Sequence, residues 1–232
     1  MGVVVLSVTV RAVPVFAERR YVPGPRDREL FVVLGELGYA TSMQLEEFFA
    51  GRESDAVGRR VSRLVRAGLL RRWEFTKPYP PAYSLTEASA ALVGARPPGD
   101  GLVAVEVLRV VAATEFYVRL ARLGRPFSWC QGPWGFWLDY GGREYWGFCP
   151  RAVPGEVHAF WQWVRKRGPG DRLFCVAASE EVAVAAARGC PREGSRGVRY
   201  TWDDLLHSEA LERAFRRWEG SGLEVDVLAM FA

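Results

Sequence analysis

Lysine is almost missing from this chain: Lys77 and Lys166 are the only two among 31 basic residues, and arginine supplies the rest. A site built on a lysine amine therefore has two candidates at most. Histidine is as scarce. His158 and His207 are the only imidazoles, and neither lies in a motif with a nearby nucleophile. The four cysteines, Cys130, Cys149, Cys175 and Cys190, form no CxxC or Cys–His cluster, which argues against a zinc site. They read as small apolar core residues of a reducing compartment. No GxGxxG follows a strand and no GxxxxGKS or GxxxxGKT occurs, so a phosphate-cradling loop is unsupported. Repeats and low-complexity tracts are absent as well. The opening MGVVVLSVTVRAV is apolar, but it lacks a basic lead and Arg11 interrupts it. It reads as a β-strand rather than a signal peptide or a spanning helix, and a cytoplasmic protein with no membrane attachment is expected.

What is present begins with an ordinary hydrophobic fraction of 49%, enough for a real core, in 232 residues that suit two small domains. The formal charge is only +4, but its distribution says more than its size. Between Arg52 and Lys77 stand eight basic residues (Arg52, Arg59, Arg60, Arg63, Arg66, Arg71, Arg72, Lys77) and three acidic ones (Glu53, Asp55, Glu74). That segment is +5 while the rest nearly cancels. Localised positive charge suggests a polyanion partner; a solvated helix face with interspersed arginines is the plainer alternative.

The same segment has a clear pattern. Ser54 or Asp55 caps a helix that Gly68 stops. At 100° per residue, Val57, Val61, Leu64 and Val65 share one side; Arg59, Arg63 and Arg66, with Ser62 and Asp55 beside them, share the other. Arg60 lies nearer the valine edge and is expected to serve structure. A hairpin follows, Leu69–Phe75 through a proline-stiffened tip to Ala82–Leu85. Upstream, helices are expected from Asp27 to Gly38 and from Ser42 to Gly51, the second packing Met43, Leu45, Phe48 and Phe49 inward. Helix, short helix, helix, hairpin is the order of a winged helix-turn-helix. A short helix capped by Thr86 then leads to ARPPGDG.

The expected organisation is an N-terminal strand and loop (1–25), a winged helix (26–94), a linker (95–101) and an α/β domain (102–232). That second half reads as a helix over 102–123, with Val103, Val107, Val110, Tyr117 and Val118 near one stripe. Three strands follow: 127–131, 135–140 and 144–149. Gly141-Gly142 signals a tight hairpin. Then come a helix (156–167), a strand (172–177), a helix (179–189), a strand (197–201), a helix (203–219) and a strand (223–230). An apolar strand running into an alanine-rich helix, FCVAASEEVAVAAARG, indicates a buried sheet. The class is α+β or α/β, with a mixed sheet in the second domain.

SDAVGRRVSRLVRAGLL, RRWEFTKPYPPAYSLT and AYSLTEAS resemble winged-helix transcriptional regulators. Together with GFWLDYGGREYWGF, RLFCVAASEEVAVAAARG and VRYTWDDLL, the arrangement is similar to the replication-relaxation family of plasmid and mobile-element proteins. Those join a winged helix to a domain related to the restriction-endonuclease fold. The resemblance implies sequence-specific double-stranded DNA binding in transcriptional or replication control of a plasmid or other mobile element. Ser54, Asp55, Arg59, Ser62 and Arg63 would approach bases; Arg66, Arg71, Arg72 and Lys77 would contact the backbone or minor groove. A homodimer is expected, with no cofactor.

The alternative is a metal-dependent nuclease or nicking accessory protein. That fold needs an acid on one strand and Glu-x-Lys on the next. Asp139 and Glu144 stand in these places, but position 146 is Trp146, so neither a catalytic nor a metal site is expected. Trp129, Trp134, Trp137, Tyr140, Tyr145 and Trp146 crowd the same stretch. Three readings apply to them: an aromatic core, which is preferred, a protein interface, or a stacking platform for bases. Alternation in GFWLDY sets Phe136 and Leu138 on one face, Trp137 and Asp139 on the other.

Overall fold

The computed structural model describes residues 9–14, 21–50, 55–76, 79–99, 103–168, 170–191, 197–219 and 222–231. They form a mixed α+β protein with eight α-helices and two sheets. Two compact units divide the described chain, one of residues 9–114 and the other of residues 115–231.

The first unit runs β1 (Val10–Ala12), α1 (Pro25–Leu37), β2 (Ala40–Thr41), α2 (Ser42–Phe48), α3 (Asp55–Arg66), β3 (Leu70–Phe75), β4 (Ala82–Leu85) and α4 (Glu87–Val93). Its sheet has the order β1-β3-β4-β2, antiparallel throughout. Thr41 caps α2 by accepting from the Gln44 amide at 3.2 Å while Gln44 Oε1 accepts from the Thr41 amide at 3.0 Å, a reciprocal capping box. Thr86 caps α4 as expected, paired with Ser89. Leu45 and Phe49 pack inward, but Met43 does not; it is exposed. At α2's first turn its direction carries it out to solvent.

The expected linker at 95–101 is irregular through Gly99, and its last two residues lie outside the described ones. Yet the division between units falls later, between Thr114 and Glu115, inside α5 (Ala104–Arg122). The reason is packing. Val107 is buried with Tyr39, Trp73 and Ala82. Gln44 Nε2 donates to the Val111 carbonyl at 2.9 Å, and Thr114 Oγ1 to the Tyr39 carbonyl at 2.8 Å. The first half of α5 therefore completes the first unit's core. Val103, placed on the apolar stripe by its spacing, precedes the helix and is exposed.

The second unit continues with β5 (Phe127–Gly132), β6 (Gly135–Tyr140), β7 (Arg143–Phe148), α6 (Glu156–Arg165), β8 (Arg172–Ala177), α7 (Glu180–Arg188), β9 (Val198–Trp202), α8 (Asp203–Ser208), β10 (Arg216–Glu219) and β11 (Gly222–Val225). The seven strands lie in the order β11-β10-β9-β8-β7-β6-β5. β7, β8 and β9 are parallel and the other neighbours antiparallel. Gly141 and Gly142 both take positive φ, 61° and 71°, the backbone a two-residue hairpin needs and glycine adopts without strain.

β8 is buried along nearly its whole length because both its faces are covered. Phe174 joins Phe116, Phe215 and Phe231 on one side, while Leu173, Cys175 and Ala177 join Phe160, Val182, Ala186 and Tyr200 on the other. Cys149, Cys175 and Cys190 are core residues, as expected; Cys130 is exposed. On an alternating strand, its side chain faces away from the α5 layer.

The end of the chain departs from its pattern. The expected helix over 203–219 stops at Ser208, a 3-10 turn follows at Leu211–Arg213, and β10 replaces the rest. Arg216 pairs with Tyr200 of β9 and with Val225 of β11, so sheet hydrogen bonds override a locally helical spacing. The expected strand over 223–230 ends at Val225, and a 3-10 turn buries Phe231 against Phe116 and Phe215. No helix among the described residues is long and apolar enough to cross a membrane.

Candidate functional site

α3 packs against α2 and β3 through Val57, Val61 and Leu64, all buried. The opposite side exposes Arg59, Ser62, Arg63 and Arg66. These four are the site residues that the tertiary structure brings onto one open face. Ser54 and Lys77 lie outside the described residues, as does the side chain of Asp55. Arg66 Nε makes a long 3.5 Å contact with the Ser62 carbonyl one turn back.

What orients this face is a buried carboxylate. Asp27, at the third position of α1, has a side chain only 2% exposed. It accepts from the Tyr21 hydroxyl at 2.7 Å, the Gly24 amide at 2.8 Å and Arg60 Nη1 at 2.9 Å. Burial alone would raise the carboxyl's pKa, but these bonds and the Arg60 charge together hold it below the ordinary value. Arg60 is therefore a structural residue, as its place at the valine edge suggested. Arg63 belongs partly to the same cluster: Nη2 stands 3.9 Å from Asp27 Oδ1, and its guanidinium lies 5.2 Å from the Tyr21 ring centre. Arg63 is still half exposed, so part of its guanidinium stays open to a ligand while Asp27 and Tyr21 orient it. Tyr21 and Asp27 were missed from the sequence. Only the loop-to-helix step Gly24-Pro25 hinted at them, and Asp27 read there as a helix start and nothing more.

The β3–β4 arginines are placed differently. Trp73 is anchored by Nε1–H donating to Ser84 Oγ at 2.9 Å, and the Arg71 guanidinium lies 5.7 Å from that indole. Arg72 Nη2 and Arg11 Nη2 each stand 3.2 Å from Glu74, so part of the hairpin's positive charge is already balanced. Arg71 and Arg72 are half-buried, unlike the four residues of the α3 face.

In the second unit, Asp139 and Glu144 are directly opposite each other across β6 and β7. Two residues along, Trp137 is opposite Trp146, and Arg167 lays its guanidinium 3.9 Å from the Trp146 ring centre. Position 146, where the expected Glu-x-Lys pattern calls for a lysine, thus holds an aromatic ring covered by an arginine. The tryptophan-rich stretch divides by strand face. Trp129 stacks on Phe136 with centres 4.4 Å apart, and Tyr140 and Tyr145 are buried; Trp134 is 43% exposed.

A second polar cluster lies just past the ends of β7, β8 and β9. Arg151, with a side chain 2% exposed, donates to Asp203 Oδ2 at 2.7 Å and to the carbonyls of Val176 and Cys149. Its own amide donates to Glu156 Oε2 at 2.7 Å. Burial raises the Asp203 carboxyl's pKa, and the Arg151 charge opposes that shift without cancelling it. Every group in this cluster has its partner within the fold, which marks it as structural. His158 sits exposed on α6, 3.2 Å from Gln162, with no nucleophile in the contact.

No protein-family model, curated protein or solved structure matches this chain. The likeness to replication-relaxation proteins therefore rests on the residue stretches quoted for it.

Proposed function

We propose that the first unit is a winged helix-turn-helix that binds double-stranded DNA sequence-specifically, with α3 entering the major groove. The observation that carries this is the exposed row Arg59, Ser62, Arg63 and Arg66 behind a dry Val57–Val61–Leu64 face. Arginine forks read guanine edges, and each good base contact contributes about 1–3 kcal/mol of discrimination. The β3–β4 hairpin serves as the wing, and Arg66 as a phosphate contact. In this reading the protein is a transcriptional or replication regulator of a plasmid or other mobile element. It acts as a homodimer on two half-sites about one helical turn apart. The second unit contributes assembly rather than cleavage.

Selection of bound duplexes from a random pool, followed by gel shift on the selected site, tests the proposal. Arg59→Ala with Arg63→Ala should abolish specific binding while leaving the circular dichroism spectrum unchanged. Binding that survives both substitutions would overturn it. Plasmid incubated with the protein and Mg²⁺ or Mn²⁺ should stay intact; cleavage that disappears in Asp139→Ala would restore the nuclease reading.

A further inference from the structure

The α5 layer covers only one face of the β5–β6–β7 meander. Phe136, Leu138, Tyr140 and Tyr145 are buried on that side. On the other, α6 covers the β7 end, where Phe148 and the half-buried Trp146 pack, and leaves open Ser128, Cys130 and Glu144, which are exposed, and Trp137 and Asp139, which are half-buried. We propose that this open face docks a cationic peptide segment of a partner protein, its arginine or lysine held between the Asp139–Glu144 pair and the Trp137 ring.

Three features favour a cationic occupant. Asp139 and Glu144 face each other directly across the hairpin, and neither has an ion pair or side-chain hydrogen bond among the described residues. Like charges in that register repel, and a bound cation removes the repulsion. Trp137 lies on the same face one pleat away, its ring 6.5 Å from that of Trp146 at 61°, so an indole borders the carboxylates. Finally, the chain already carries out this recognition once. Arg167, just beyond α6, places its guanidinium 3.9 Å over Trp146 and 5.1 Å from Trp163, while no guanidinium of the described residues covers Trp137. A nucleic-acid strand is disfavoured here, because its phosphates would meet two uncompensated carboxylates.

Fluorescence anisotropy of a labelled tetra-arginine peptide titrated with the full chain tests this directly. Saturable binding is expected, weakened about tenfold in Asp139→Asn/Glu144→Gln, which preserves side-chain shape while removing both charges. Glu180→Gln/Glu181→Gln, on α7, should bind like the unaltered chain, which separates a local site from general acidity. Arg59→Ala/Arg63→Ala should also bind the peptide normally, so failure of the DNA proposal leaves this one standing. No saturable binding, or affinity unchanged in Asp139→Asn/Glu144→Gln, overturns the proposal. So does oligo-dT binding that improves in that variant, which would assign the face to single strands. Self-association lost in the same variant would assign it to a second copy, and likewise overturn it.

Discussion

Removing the Asp27 carboxylate tests the physical account of how α3 is held. The side chain is almost fully enclosed, and Tyr21, Gly24 and Arg60 all spend a donor on it. Asp27→Ala strands all three, including a guanidinium whose side chain is only 18% exposed. Breaking a buried pair on one side costs about 3–5 kcal/mol. Asp27→Asn keeps the shape and an acceptor oxygen but loses the charge, and should cost about 1.5–3 kcal/mol. Urea denaturation read by hydrogen exchange on peptides from α1 and α3 isolates the first unit from the second. The pH dependence has a definite sign. Because the folded carboxyl titrates below its ordinary value, its contribution is complete above the unfolded value of about 3.9 and is lost as pH falls through the depressed folded value. The gap between the unaltered chain and Asp27→Asn should thus be constant from pH 7 to 5 and close on further acidification. A cost below about 1 kcal/mol for Asp27→Ala, within the range of ordinary substitutions, would refute the reasoning. A gap indifferent to acidification would do the same.

Arg66→Ala should weaken binding to all duplexes alike and reduce the slope of log affinity against log salt by about 1, measured by filter binding across a salt series. Gly147→Ala would drive a methyl into the Phe136 ring, which is itself buried and already packed on Trp129 and Phe116 at 4.4 and 5.0 Å. A loss of about 3 kcal/mol is expected by denaturation, against no more than about 0.5 kcal/mol for Gly222→Ala, where a methyl meets open space. Arg151→Met leaves the Val176 carbonyl and the Asp203 carboxylate, itself 34% exposed and so open to water, without the Arg151 donor, and should cost about 1–3 kcal/mol at neutral pH. Since Asp203 already titrates above its ordinary value when folded, stability is lost as pH rises through that window. The cost of Arg151→Met should therefore shrink in acid; a cost that grows there would contradict the assignment.

Much of the first unit was legible because short-range rules governed it. The period of Val57, Val61 and Leu64 set the buried side of α3 and so named Arg59, Ser62, Arg63 and Arg66 as the open side. Gly38, Thr86 and the Gly141-Gly142 pair marked where elements stop and turn, and the alternation in GFWLDY sorted Phe136 and Leu138 from Trp137 and Asp139. Residues whose roles depend on distant partners were not legible. Nothing in the neighbourhood of Asp27 announces Arg60, 33 positions away. The first half of α5 follows a proline-rich linker, yet its Val107 finds a gap beside Tyr39 and Trp73 that only the folded unit presents. Leu211 and Phe215 stand four apart, as on one side of a helix, but Arg216–Glu219 pair instead with strands β9 and β11, partners that the local spacing does not reveal. Periodicity and local steric rules, which act over a few residues, determined the elements and their faces. Long-range packing and the pairing of buried charges decided where the units divide, how the chain ends and which arginines of α3 are held in place.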